Sequence, residues 1–228
     1  DLGEAVARES ARLEAIRRSR DALPADTVLA YASEDIGAAY PIPGDGLNAP
    51  GEPGAALRMR ECAGEMSRAL VVLWAAKDRR DVRVVLPAFG SGDAAVKASA
   101  KVVKIHYQAA GAPHAILAQA DDQVLVPELL LNDDSLVRLD AAKRHDLWRT
   151  VDGRYLDVNE MKGVKWGGTL PVAAFDVRDA ETLRPFDIPA GGAKQIVLRF
   201  DVPRGAKPGV YRGKVRFAEG NAEIAAVP

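Results

Sequence analysis

Between residues 188 and 217 the chain alternates apolar and polar positions twice. Ile196, Leu198, Phe200 and Val202 interleave with Val197, Arg199 and Asp201. After the run Pro203-Arg204-Gly205-Ala206-Lys207-Pro208-Gly209, a second set follows, with Tyr211, Gly213, Val215 and Phe217 against Arg212, Lys214 and Arg216. A period of two predicts strands that each bury one face. The Pro/Gly run between them predicts a turn, and so a β-hairpin. This stretch is scaffold, and its residue types suggest no catalytic chemistry.

The same pattern predicts further strands. Residues 68–75 (RALVVLWA) are almost continuously apolar, as in a strand covered on both faces, which makes Trp74 a core residue. Residues 27–32, 57–61, 81–87, 101–108, 171–177, 182–188 and 222–227 are other strand segments. Residues 123–131 join them, with Pro127 marking an edge strand or a bend. Residues 2–23 are rich in Ala, Glu, Arg and Leu and predict a helix that ends before Pro24. Val6, Leu13, Ile16 and Leu23 give it only a thin apolar stripe, so it reads as a surface helix or a docking element. Residues 37–54 interleave four prolines with glycines and read as a long loop. Residues 141–148 read as a helical turn or loop, and residues 161–170 as loop. Many short strands separated by turns predict a mostly β fold, an antiparallel β-sandwich with an N-terminal helix and long loops. Residues 1–55 would carry the helix, a short strand and the Gly/Pro-rich loop, and residues 56–228 the sandwich. The last strand runs up to Pro228, which predicts that more chain follows.

Composition narrows the function. The formal net charge of -1 gives no field favouring nucleic acid, and no basic patch is interleaved with aromatics. No apolar run approaches the length of a membrane span, and no signal peptide is visible. The single cysteine, Cys62, excludes an internal disulfide framework.

Three segments resemble the N-terminal β-sandwich that precedes the catalytic barrel in family 123 glycoside hydrolases and related bacterial glycosidase-like proteins. The first is Arg60-Glu61-Cys62-Ala63-Gly64-Glu65 with the two strand segments after it. The second is Val126-Pro127-Glu128-Leu129-Leu130, similar to the family's P-D-P-L-L, with Glu128 in place of Asp and Leu129 in place of the second proline. The third is the most distinctive: Gln195, Val202, Pro203, Ala206, Lys207, Pro208, Gly209, Tyr211, Gly213 and Val215 match a G-x-x-Q turn and a V-P-x-x-A-K-P-G-x-Y-x-G-x-V run. The resemblance covers residues 56–228. It implies a secreted or periplasmic address, a catalytic barrel later in the same chain, and a glycan as the wider partner. The family's catalytic carboxylates lie on that barrel, so no catalytic residue carries over.

The residues themselves offer limited chemistry. Asp121-Asp122 and Asp133-Asp134 are acidic pairs in turn contexts, where Asp bonds nearby backbone, with calcium as the sharper alternative. His106, His114, His145 and Cys62 match no zinc spacing, and no cofactor is expected. Sugar rings stack on aromatic faces, so His145, Trp148, Tyr155 and Trp166, in the least regular region, are the candidate ligand-binding residues. The leading expectation is a non-catalytic accessory domain of a larger glycoside hydrolase-like protein. The alternatives are a free-standing carbohydrate-binding or protein-interaction module, and an assembly role for the N-terminal helix.

Overall fold

A computed structural model describes residues 2–34, 49, 51–89, 95–109, 123–157 and 176–228. The fold is mostly β and sandwich-like, with antiparallel sheets and one α-helix among the described residues. The chain divides into two compact units: Asp1–Ala100 with Asp187–Pro228, and Lys101–Phe186.

The first unit opens with helix α1 (Leu2–Asp21). Its described side chains are exposed along most of its length, as the thin apolar stripe predicts. Arg20 at its end is buried and lies 4.8 Å from the centroid of the Trp74 ring, a cation–π contact that staples the helix end. Strand β1 (Val28–Ser33) pairs antiparallel with β2 (Met66–Ala75), in register Tyr31↔Val72. On its other side β2 pairs with β10 (Ala193–Asp201), in register Ile196↔Val71. Every residue of β2 from Ala69 to Ala75 is buried, which accounts for its unbroken apolar run. Trp74 is core, and its indole N–H donates to the Gly191 carbonyl at 3.1 Å. The second sheet has the order β12 (Ala222–Val227), β11 (Val215–Glu219), β3 (Arg79–Val85), β9 (Phe186–Ile188). Val82, Ile188, Phe217 and Val227 are fully enclosed side chains of this sheet.

Two expectations fail in this unit. β10 and β11 are not a hairpin: β10 pairs with β2, while β11 pairs with β12 and β3 in the other sheet. Residues 202–214 are a crossing between sheets, far longer than the two to five residues of a hairpin loop. Residues 57–61 are not a strand. Their backbone turns to single outside partners, Leu57 N–H to the Pro228 carbonyl and Arg58 N–H to the Glu34 carboxylate, rather than to a ladder.

In the second unit the part of β4 (Lys97–Ala109) from Val102 onward pairs antiparallel with β5 (Gln123–Leu131). The register slips between Lys104↔Leu129 and His106↔Val126, so β5 carries the extra residue beside Pro127. A proline has no N–H for the ladder, and a bulge is where a strand tolerates one. One turn of 3-10 helix (Asp134–Leu136) leads into a meander of β6 (Val137–Asp140), β7 (His145–Arg149) and β8 (Tyr155–Asp157). The helical turn or loop expected at 141–148 is instead a tight turn followed by a strand. Asp140 Oδ1 accepts from the Ala142 and Lys143 N–H groups, and Arg144 takes φ 54°, closing the turn in four residues. Of the strand expected at 182–188 only the last three residues form one. The loop at 161–170, and most of the segments 37–54 and 171–177, lie outside the described residues; Asp176 and Val177 are not in a strand.

Candidate functional site

The second unit has a polar cleft of about 420 Å³, lined in part by Asp133, Arg149, Thr150, Arg178, Asp179 and Arg184. Its centre is Asp133, the N-cap of the 3-10 turn and only 4% exposed. Asp133 Oδ1 accepts the Ser135 N–H at 3.0 Å and the Ser135 hydroxyl at 2.6 Å. Its Oδ2 accepts Arg149 at 2.6 Å and Arg184 at 2.8 Å. The second Nη of Arg149 reaches the Ser135 hydroxyl at 2.7 Å. Burial alone would push the Asp133 carboxyl up. The hydrogen bonds from Ser135 and Arg149 outweigh it and hold the group below the usual aspartate range, as an anion.

Asp179 fixes the far wall. Its oxygens accept the N–H groups of Asn132 at 2.8 Å, Asp133 at 2.9 Å and Ala180 at 2.9 Å. The Arg184 N–H donates to the Asn132 carbonyl at 2.7 Å, so the segment carrying Asp179 and Arg184 is strapped to the end of β5. Arg178 is paired with Asp176 at 2.8 Å. Val151, 60% exposed, supplies an apolar rim, and Gly153 turns the floor with φ 87°.

The three described candidate residues from the sequence, His145, Trp148 and Tyr155, lie on strands, not loops. The pairs Trp148↔Leu156 and Val137↔Trp148 put Trp148 on one face of the meander. His145, Arg149, Tyr155 and Asp157 share the opposite face. All three described candidates are half-buried. Tyr155 donates its hydroxyl to the Ser135 carbonyl at 2.5 Å, and Arg138 lies 4.0 Å from its ring centroid. His145 Nδ1 donates to Asp157 at 2.8 Å. Trp166 lies outside the described residues. A second His–Asp pair stands at His106 and Asp146, 3.4 Å apart, where Asp146 also accepts the Tyr107 N–H at 2.9 Å. Burial raises the Asp146 carboxyl above its usual range.

Asp133-Asp134 is a turn, as its residue types predict. Asp121-Asp122 and His114 lie outside the described residues. Among the described residues no group of three or more His, Cys, Asp or Glu is placed to hold a metal ion. No helix of the described chain is long and apolar enough to cross a membrane. Sequence reasoning missed Arg149, Arg178, Arg184 and Asp179. The one local signal was Asp133-Asp134-Ser135, where an aspartate precedes a serine by two and caps a turn.

No family model matches the chain, and no curated protein does. Among solved structures it is similar to part of a family 123 glycoside hydrolase. That protein comes from Clostridium perfringens, and its structure was analysed for glycolipid glycan hydrolysis. The TM-score is 0.47 and the identity 10%, over 88% of this chain and 26% of that one. The chain thus spans about a quarter of that enzyme's length.

Proposed function

We propose that this chain is a non-catalytic β-sandwich segment of a larger, exported bacterial protein related to glycoside hydrolases, with the catalytic barrel elsewhere in the same polypeptide. The motifs at residues 195–215 support the relationship. The observation that carries the accessory role is the state of the cleft carboxylates. Glycoside hydrolysis uses an acid kept protonated near a second carboxylate or an assisting group. Asp133 is instead held ionised by Ser135 and Arg149 and also accepts Arg184, and Asp179 is engaged by three backbone N–H groups. Carboxylates spent on fixing a turn and its neighbouring segment are architecture. Residues 1–228 expressed alone should turn over none of a panel of aryl glycosides. Turnover that disappears on replacing Asp133, Asp146 or Asp179 would sink this reading.

A second reading is a free-standing carbohydrate-binding or protein-interaction module. Three of its four aromatic and imidazole candidates, His145, Trp148 and Tyr155, fall in one small sheet, and Trp166 is the fourth. Calorimetry against a glycan panel tests it. Sugar heats that fall on Trp148→Ala or Trp166→Ala favour it, and no heat with any glycan removes it.

A further inference from the structure

We infer that the outward side of the crossing between β10 and β11 is a docking surface for an anionic lipid bilayer, which the chain meets peripherally and does not span. The near-neutral total charge conceals a local excess. Residues 202–218 hold Arg204, Lys207, Arg212, Lys214 and Arg216 and no Asp or Glu. Each acid on the surrounding segments counts against them, whatever it is bonded to. The second sheet with its turns and the crossing, residues 77–89, 186–188 and 202–228, carries nine Lys and Arg and five Asp and Glu. The adjoining segments 60–66 and 90–97 add two cations and three acids, which still leaves three positive charges over. Asp201, just before the crossing, is matched by Arg199 at 2.7 Å. Most of the acids also stand away from the crossing. Asp78, Asp81, Asp187 and Glu219 gather where β3 starts and β11 ends, around Arg79 and Arg80. Asp26, whose carbonyl accepts from Arg79, lies at that same end. The pairs Arg216↔Val85 and Glu219↔Val82 put it about 10 Å from the crossing. Only Glu223 reaches back, to Lys214 at 2.6 Å. Lys207, Arg212 and Arg216 are exposed, and among the described residues their side chains make no hydrogen bond or ion pair.

Alternation along the chain shapes this charge into a surface. Gly213 packs on Pro87 and Phe89, Tyr211 meets Phe89 edge-on, and Val215 and Phe217 are buried. Val210, Arg212, Lys214 and Arg216 therefore face out as one row. Val210 ends that row and is 82% exposed, more than any other large hydrophobic side chain described. Tyr211 beside it is 42% exposed. The turn is braced from within. The Tyr211 hydroxyl donates to the Lys207 carbonyl at 2.7 Å, the Ala206 N–H donates to the Pro203 carbonyl at 2.9 Å, and Pro203 and Pro208 fix φ at two points. An aliphatic apex, a half-exposed tyrosine and flanking cations are the parts of an interfacial anchor. The apex enters the boundary between headgroups and acyl chains, the ring lies at headgroup level, and Lys and Arg reach the lipid phosphates. One projecting apex offers an acidic protein little area to bury, whereas a bilayer needs no matching shape. This binding needs no glycan and no catalytic domain.

The test is co-sedimentation of the 228-residue chain with vesicles of phosphatidylcholine alone and of phosphatidylcholine mixed with phosphatidylglycerol. Binding to the mixed vesicles only, lost at high salt, is the expected result. Lys207→Ala together with Arg212→Ala should lower the partition coefficient by more than about tenfold, at about fivefold per charge. Val210→Ser should lower it by about fivefold or more, because the apex no longer enters the acyl boundary. All three side chains are exposed, so the fold is expected to persist, and thermal melts check that. Arg154→Ala, which loses only an exposed pair with Asp152, should change nothing. Soluble poly-L-glutamate is the competing anion. If it binds as tightly as the mixed vesicles and Val210→Ser weakens neither, the surface recognises acidic protein and the lipid inference is overturned. Equal binding to pure phosphatidylcholine, no binding to either vesicle, or a loss in Arg154→Ala as large as in the double variant overturns it as well.

Discussion

At Asp133 one buried side chain holds four groups in place. It orders the 3-10 turn through Ser135, anchors the end of β7 through Arg149, and ties the segment of Arg184 to the cleft. Asp133→Ala therefore removes an acceptor from several donors and leaves Arg149 half-buried without its carboxylate. Breaking a buried ion pair from one side costs about 3–5 kcal/mol. Arg184 is largely solvated, so a loss of about 2–3 kcal/mol, read by urea denaturation, is expected. A loss below about 0.5 kcal/mol, the level of an ordinary surface change, would show that Asp133 is not the keystone of this cleft. Little of this site was legible in the sequence. Residues 133, 149, 179 and 184 are separated by up to 51 positions, and charges scattered through a chain have no spacing that announces a cluster. Only the short-range Asp133–Ser135 turn is written locally.

At the level of elements the crossing from β10 to β11 shows what a period of two can and cannot reveal. It marks both strands, because each buries alternate side chains wherever it pairs. It is silent on the partner, which is chosen by contacts more than a hundred residues away: β10 pairs with β2, not with its neighbour in sequence. The glycine of the Tyr211-Arg212-Gly213 segment has a clear physical reason. A Cβ on Gly213 would lie 2.6 Å from both Phe89 Cζ and Pro87 Cβ, so only a hydrogen fits. Phe89 in turn meets Phe200 with ring centroids 6.3 Å apart and Tyr211 at 6.5 Å, edge-on. The Tyr211 hydroxyl then closes the crossing onto the Lys207 carbonyl at 2.7 Å. Gly213→Ala should push Phe89 out of this cluster and destabilise the protein by about 1–3 kcal/mol, the cost of overpacking. Phe89→Ala combined with Gly213→Ala makes room for the methyl. If the glycine acts through this contact, the second substitution should cost less in the Phe89→Ala background than alone. Equal costs in both backgrounds would place the strain elsewhere.

For the molecule as a whole, stability against pH sums groups of opposite sign. Asp133, Asp152, Glu219 and Glu9 are all lowered. In Asp133 hydrogen bonds overcome burial. In Asp152 the first cause is the bond from Thr150, in Glu219 the Arg80 N–H, and in Glu9 the Arg12 side chain. A lowered carboxyl binds fewer protons folded than unfolded, so its contribution is complete above the unfolded value and is lost as pH falls through the folded one. For Asp133 that loss begins as pH drops through 3.8. Asp146 runs the other way. Burial raises it, against the Tyr107 N–H and the nearby His106 and His145, so its ionisation costs stability at neutral pH. That cost is relieved as pH falls through its raised value, above 3.8. Urea midpoints of wild type, Asp133→Asn and Asp146→Asn from pH 7 to pH 3 separate the two. The advantage of wild type over Asp133→Asn should shrink on acidification below the ordinary aspartate range. Relative to Asp146→Asn, wild type should instead gain, and should do so at higher pH. Both differences moving in the same direction would mean that the two carboxylates do not have the opposite environments that burial and arginine pairing assign to them.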